Sequence, residues 1–294
     1  MTSYSDLAKI YTNEIIPPIR EAAIARQLMY VNTSISNDMS ADSVQAYKFS
    51  DLSDALIMRS LPDQSIFNDG IRSETHTVLI NSIVEGFDIK KQEMDNYSST
   101  GISVQNSISQ IAAEKVAERE NEMILVGWTP DGTDYQVEGM QNLTNCSTQT
   151  TSYDFGTFGN AVKKVTAAKN TLLAAGVQAN AYNLTLNPTQ YSELEASLST
   201  TGQEEMETVM KRLNPMGGTA GRVRQSSDIT AGQGLLTPVD NIGKYFELIQ
   251  TAAPFVDLNP DSKLGKISPY YGYVLERVGL NFKYPAAVCK LTNI

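Results

Sequence analysis

Histidine is almost missing from this chain: His76 is the single one in 294 residues. That leaves a serine–histidine–acid triad only one possible base. His76 lies in THTVLINSIV (75–84), a strand-like run rich in β-branched residues, where a solvent-facing or packed side chain is expected. Cysteine is as scarce. Cys146 and Cys289 can form at most one bridge, and free, partly buried thiols are the expectation. Without clustered Cys, His or carboxylates there is no sequence pattern for a metal centre. DGTD (131–134) lacks the ligand spacing and terminal glutamate of an EF-hand, and a turn is expected there. MGGTAGR (216–222) matches neither the phosphate loop nor the dinucleotide fingerprint and reads as a surface turn. Glu118, Glu120 and Glu122 alternate, so a helix splays them around its circumference as solvated or interface charges. No catalytic, cofactor-binding or metal residue is assigned, and the chain is not expected to be an enzyme.

Long apolar runs are also absent. No stretch approaches the ~20 residues needed to cross a bilayer. The N-terminal sequence MTSYSDLAKIYTNEIIPPIREAAIARQ mixes charges of both signs through its apolar positions, unlike a signal peptide. Assembly inside a cell and no membrane partner follow as expectations, and the Asn-X-Ser/Thr triplets at Asn32, Asn96, Asn142, Asn145 and Asn183 read as coincidental. An excess of basic residues is missing too. With 23 Lys and Arg against 33 Asp and Glu the net charge is -10, which argues against tight wrapping of nucleic acid by the whole surface. The same charge keeps unassembled copies soluble. What is present is a 41% hydrophobic content, enough to bury a sizeable core in one large domain or two smaller ones.

Periodicity gives the order of elements. Residues 4–30 have helical character, interrupted by Pro17 and Pro18, and read as two short helices in an arm. Its apolar Leu7, Ile10, Ile15, Ile19 and Leu28 are candidates to face neighbouring subunits. Residues 44–84 fit an extended two-stranded excursion better than a structureless loop. Residues 88–96 read as a short helix. The strongest helix runs from Ser103, a candidate N-cap, to Val126, with Gly127 and Pro130 as stop signals. Val104, Ile108, Ile111 and Val116 are its expected core face. Helices follow at 157–175, at 188–197 with Asn187 and Pro188 at its start, and at 202–213. Strands are expected at 181–186, 222–225, 234–238, 245–250, 254–258 and 274–291, the last broken near Pro285. The fold class is α+β.

In that order the elements resemble the major capsid proteins of tailed viruses, which share the fold of phage Hong Kong 97 with the encapsulins. FDIKKQEMDNYSSTGISVQNSISQIAAEKVAERENEMILVG looks like that fold's strand, short helix and spine helix. FGNAVKKVTAAKNTLLAAGVQANAYNLTLNPTQYSEL looks like the first helix, strand and second helix of its axial domain, and LERVGLNFKYPAAVCKLT like its last strand. The resemblance implies an N-terminal arm over 1–43, an extended loop over 44–84, a peripheral domain over 85–137 and 272–294 with its spine helix at 103–126, and an axial domain over 138–271. It implies self-assembly through pentamers and hexamers into an icosahedral shell, located in a virion assembled in the host cytoplasm. The shell would enclose a double-stranded DNA genome without sequence-specific contacts, with portal, scaffold or cement proteins as further partners. The alternative on the same fold is an encapsulin shell around a cargo enzyme. The resemblance also raises lysine–asparagine cross-linking, for which Lys48 is the lysine placed by analogy; no cross-link is expected. Nor is trimming of the N-terminus, because the arm begins at once.

Overall fold

The computed structural model describes residues 24–34, 42–49, 73–89, 104–130, 136–259 and 270–294. The arm residues Leu7, Ile10, Ile15 and Ile19, the bend at Pro17 and Pro18, the cap at Ser103, the side chains of Lys48 and Val104, and the DGTD turn lie outside the described residues.

A 3-10 turn, Ala25–Leu28, leads into β1 (Tyr30–Asn32). β2 (Ser43–Phe49) and β3 (Ser73–Leu79) form an antiparallel ladder running from Ser43↔Leu79 to Phe49↔Ser73. The strand-like run around His76 is thus two strands. β3 ends at Leu79, Ile80 intervenes, and β4 (Asn81–Ile89) pairs instead with β12 (Tyr270–Phe282). The crossing is close. A Cβ on Gly279 of β12 would sit 2.8 Å from both Ile80 Cδ1 and the Leu79 carbonyl oxygen, so only glycine lets the base of the excursion pass. Asp88 and Ile89, expected to open a short helix, are the end of β4, where pairing with β12 overrides local propensity.

β12 is central in a four-stranded sheet of order β1-β11-β12-β4, with β11 spanning Phe246–Asn259. β11 runs unbroken through the two separate strands expected there; shifts in its pairing with β12 fall between Gln250 and Phe255. The long helix α1, Val104–Leu125, packs against β4 and β12, and Gly127 at φ 96° turns the chain out of it. β5 (Gly127–Trp128) and β6 (Val137–Glu138) then form a short ladder.

A five-stranded sheet has the order β7-β13-β10-β8-β9, with β7 at Ser147–Gln149, β8 at Tyr182–Leu186, β9 at Val223–Gln225, β10 at Gln233–Pro238 and β13 at Cys289–Thr292. Three helices pack on it or on each other: α2 (Asn160–Ala174), α3 (Pro188–Ala196) and α4 (Glu205–Leu213). α3 begins as its sequence dictates, with the Asn187 side chain accepting from the Thr189 N–H and Pro188 in the first turn. Every residue of β8 is buried, as a strand covered on both faces requires.

The two sheets do not separate at residue 271. β11, assigned to the axial part, lies in the four-stranded sheet between β1 and β12. β13, assigned to the peripheral part, lies in the five-stranded sheet between β7 and β10. The closing segment therefore crosses from one sheet to the other through the 3-10 turn Pro285–Ala287, and one continuous apolar cluster spans both.

Candidate functional site

The face of α1 turned to the core is rich in small residues in its middle turns and in larger ones at its C-terminal end. Ala112, Ala113, Val116, Ala117, Met123, Ile124 and Leu125 are buried, with Ser109 and Glu120 among them. The expected stripe was rotated. Val116 is in the core, Ile108 is half-buried, and Ile111 is 57% exposed. Ile111 precedes Val116 by five residues, which at ~100° per residue puts it roughly 140° around the helix. The alanines, weak in a hydrophobicity count, let the helix approach the sheet closely.

Residues 24–32 dock beside that face. The Ala25 N–H donates to Asn121 Oδ1 at 2.9 Å, and Leu28 and Met29 belong to the apolar core. Leu28, expected to face a neighbour, is 1% exposed and packs inside its own subunit; it follows Arg26 on the same short turn, whose other side is anchored in α1. Arg26 Nη1 lies 3.2 Å from Glu120 Oε2 on α1 and 3.1 Å from Glu276 Oε1 on β12. Gln250 Nε2 of β11 donates to the same Glu276 oxygen at 2.8 Å. Glu120 is therefore fully buried rather than solvated, because Arg26 supplies a cation inside the core. Burial raises the Glu120 carboxyl to about 8, helped by the nearby Glu276 and opposed by Arg26. Burial raises Glu276 as well, against Arg26 and Gln250. Sequence reasoning missed this cluster, although Arg26 falls four residues after Ala22 and seven after Ile19, in helical register with an apolar position of the arm.

β1 then adds to the edge of the sheet, parallel to β11, with Tyr30 opposite Glu247 and Asn32 opposite Ile249. Glu247 accepts from Asn32 Nδ2 at 2.6 Å and Asn281 Nδ2 at 3.2 Å and pairs with Lys283 at 2.8 Å. Burial alone would raise Glu247, but the bonds from Lys283 and Asn32 bring it below its ordinary value. Beside the dock is a groove of about 850 Å³ lined by Ile24, Glu85, Lys115, Arg119 and Asp228, among others. The β2–β3 ladder is tied at its base by the Ile80 N–H donating to the Asp42 carbonyl at 3.0 Å and by Arg277 paired with Asp42 at 3.1 Å. His76 on that ladder is exposed.

Lys164 anchors the other sheet. Its buried ammonium donates to the carbonyl oxygens of Gln149, Thr151 and Thr292, joining α2 to the ends of β7 and β13. Cys146 and Cys289 are free thiols, and burial pushes Cys289 up to about 12. Among the described residues no cluster of three or more His, Cys, Asp or Glu could hold a metal ion, and no helix is long and apolar enough to cross a membrane. The geometry is that of a clamp on residues 24–32 and a separate two-stranded ladder.

The profile of the Linocin_M18 family, described as encapsulating protein for peroxidase, matches residues 20–248. No curated protein matches the chain. Among solved structures, the capsid of Myoviridae phage XM1 is 13% identical with a TM-score of 0.69, over 93% of this chain and 92% of that one. The capsid of the native GTA particle is 15% identical with a TM-score of 0.64, over 92% and 90%. The virus-like particle from Pyrococcus furiosus is 13% identical with a TM-score of 0.61, over 97% and 99%. The chain belongs to the Linocin_M18 family of encapsulating shell proteins and has the Hong Kong 97 capsid fold.

Proposed function

We propose that this chain is a major capsid protein whose copies close an icosahedral shell around a double-stranded DNA genome. The observation that carries the reading is the separate two-stranded β2–β3 ladder on a capsid fold matched over nine-tenths of the chain. A two-stranded ladder is marginal in water unless something covers it. A neighbouring copy supplies that cover, and repeated around several rotation axes each modest contact adds to a stable shell. In this reading residues 44–80 are the extended loop, the four-stranded sheet with α1 is the peripheral domain, and the five-stranded sheet with α2, α3 and α4 is the axial domain. Pentamers and hexamers are the building units, portal, scaffold or cement proteins are the further partners, and the protein resides in the virion after assembly in the host cytoplasm. No catalysis is assigned to it. The DNA is held without sequence-specific contacts, consistent with a net charge of -10.

The second reading is an encapsulin shell around a cargo enzyme, favoured by the description of the family, which names peroxidase encapsulation. Particles isolated from their native source decide between them. Double-stranded DNA that resists nuclease until the shell is opened supports the capsid. A co-purifying enzyme inside nucleic-acid-free particles supports the encapsulin. A monomer at high concentration refutes both.

A further inference from the structure

The cluster at Arg26 does not balance in charge. One guanidinium faces two fully buried carboxyl groups, and each keeps one oxygen, Glu120 Oε1 and Glu276 Oε2, without a hydrogen-bond partner among the described residues. The groups come from three separate elements: the turn before β1, the spine helix α1 and strand β12. The groups acting electrostatically on the carboxyl pair are Arg26 and the two carboxyls themselves; Gln250, from β11, is neutral. The next charged groups along the same elements are engaged elsewhere: Arg119 pairs with Glu122 on the outer side of α1, Arg277 pairs with Asp42, and Glu247 pairs with Lys283. No second cation reaches the pair among the described residues.

We propose that residues 24–32 are a proton-held latch: the segment seats on α1 and β12 with one proton held on the Glu120–Glu276 pair, and loss of that proton releases the segment and frees β1 from the edge of the sheet. A second buried negative charge against one guanidinium is strongly unfavourable at low dielectric, whereas one proton on the pair removes it and leaves a single carboxylate facing Arg26. The direction follows from burial, which raises both carboxyls when the segment is seated. Seated, the pair binds more protons than when it is open to water, so seating is fully favoured below the ordinary carboxylate range. It weakens as pH rises through about 8 and levels off above. The latch acts within one subunit and does not depend on what the shell contains.

The test is hydrogen–deuterium exchange of the full-length chain, followed at the amides of residues 25–32 from about pH 5.5 to about pH 8.5 and corrected for the intrinsic exchange rate. The wild type should lose at least tenfold in protection across that range. Glu120→Gln, which leaves Arg26 with one carboxylate, should change less than about threefold, and Glu276→Gln the same. A flat wild-type profile overturns the proposal, as does a pH-dependent loss in both Gln variants equal to that of the wild type. Should neither variant fold, infrared difference spectra of the wild type carry the test. A protonated carboxyl band at neutral pH that disappears in step with the loss of protection supports the latch, and its absence overturns it.

Discussion

Replacing Arg26 by Met removes from a buried cluster its one cation among the described residues, while keeping the side chain's apolar stem. Arg26 is 9% exposed, and the side chains of both its acidic partners are inaccessible. Breaking a buried ion pair by deleting one member costs about 3–5 kcal/mol, since the remaining charge stays buried. Here part of the loss is recovered, because one carboxyl already has its affinity for a proton raised. A destabilisation of about 2–4 kcal/mol is expected, against the ~5–15 kcal/mol of a typical domain. At about 2–4 °C per kcal/mol for a domain of this size, the melting temperature of unassembled subunits should fall by about 5–15 °C. The triple variant Arg26→Met, Glu120→Gln, Glu276→Gln should recover most of that loss, as replaced buried charges often do. Scanning calorimetry of the three proteins reads the series. An Arg26→Met protein that melts with the wild type would falsify the claim that the cluster clamps residues 24–32 to the core.

Lys164→Met keeps the packing of the stem but orphans three carbonyl oxygens; a loss of about 2–4 kcal/mol is expected in chemical denaturation, and a midpoint unchanged from wild type would show the ammonium is not needed. Ile111→Asp should leave the subunit's folding within about 0.5 kcal/mol of wild type, whereas Ile124→Asp should cost several kcal/mol; equal effects in a thermal melt would mean the register of α1 is wrong. Alkylation of native protein near pH 8, mapped by mass spectrometry, should modify Cys146 before Cys289, since burial pushes Cys289 up to about 12 and leaves almost none of it as thiolate. Faster reaction at Cys289 would contradict its enclosure in the sheet.

Much of the fold was legible because its elements follow local rules. Asn187 and Pro188 begin α3, Gly127 ends α1, and alternating β-branched residues mark the strands. The sheet memberships were not legible, since they depend on partners far apart in sequence. Nothing within residues 246–259 says that β11 pairs with β12 rather than with its sequence neighbour β10. The core face of α1 was misread for a different reason. Ile111 outweighs Ala113 in any hydrophobicity count, but close helix–sheet packing selects the alanine and turns the isoleucine outward. Charge was misread in the same way. Glu120 sits in an acidic run with solvated neighbours, and only the distant Arg26 explains its burial.

That correction moves the boundary of the interlocking arm. Residues 24–32 supply Ala25, Leu28 and Met29 to the core, an edge strand to the sheet and the cation to its buried cluster, so they belong to the subunit. Within residues 1–32, the part of the arm left to reach a neighbour is then the stretch before residue 24, where Leu7, Ile10, Ile15 and Ile19 stand. Deleting residues 1–23 and deleting residues 1–30 should therefore give different proteins. The shorter deletion spares every core contact named above, and should yield a folded subunit whose defect, if the arm interlocks, is arrest as free capsomers. The longer one removes Leu28, whose truncation alone costs about 2–5 kcal/mol, together with Arg26 at a similar cost. Those losses together rival the stability of a whole domain, so insoluble or molten protein is expected. Calorimetry and electron microscopy of the two deletions separate folding from assembly. A cooperative melt from the longer deletion, equal to that of the shorter, would return residues 24–30 to the arm and leave the buried carboxyl pair without its cation in a stable core.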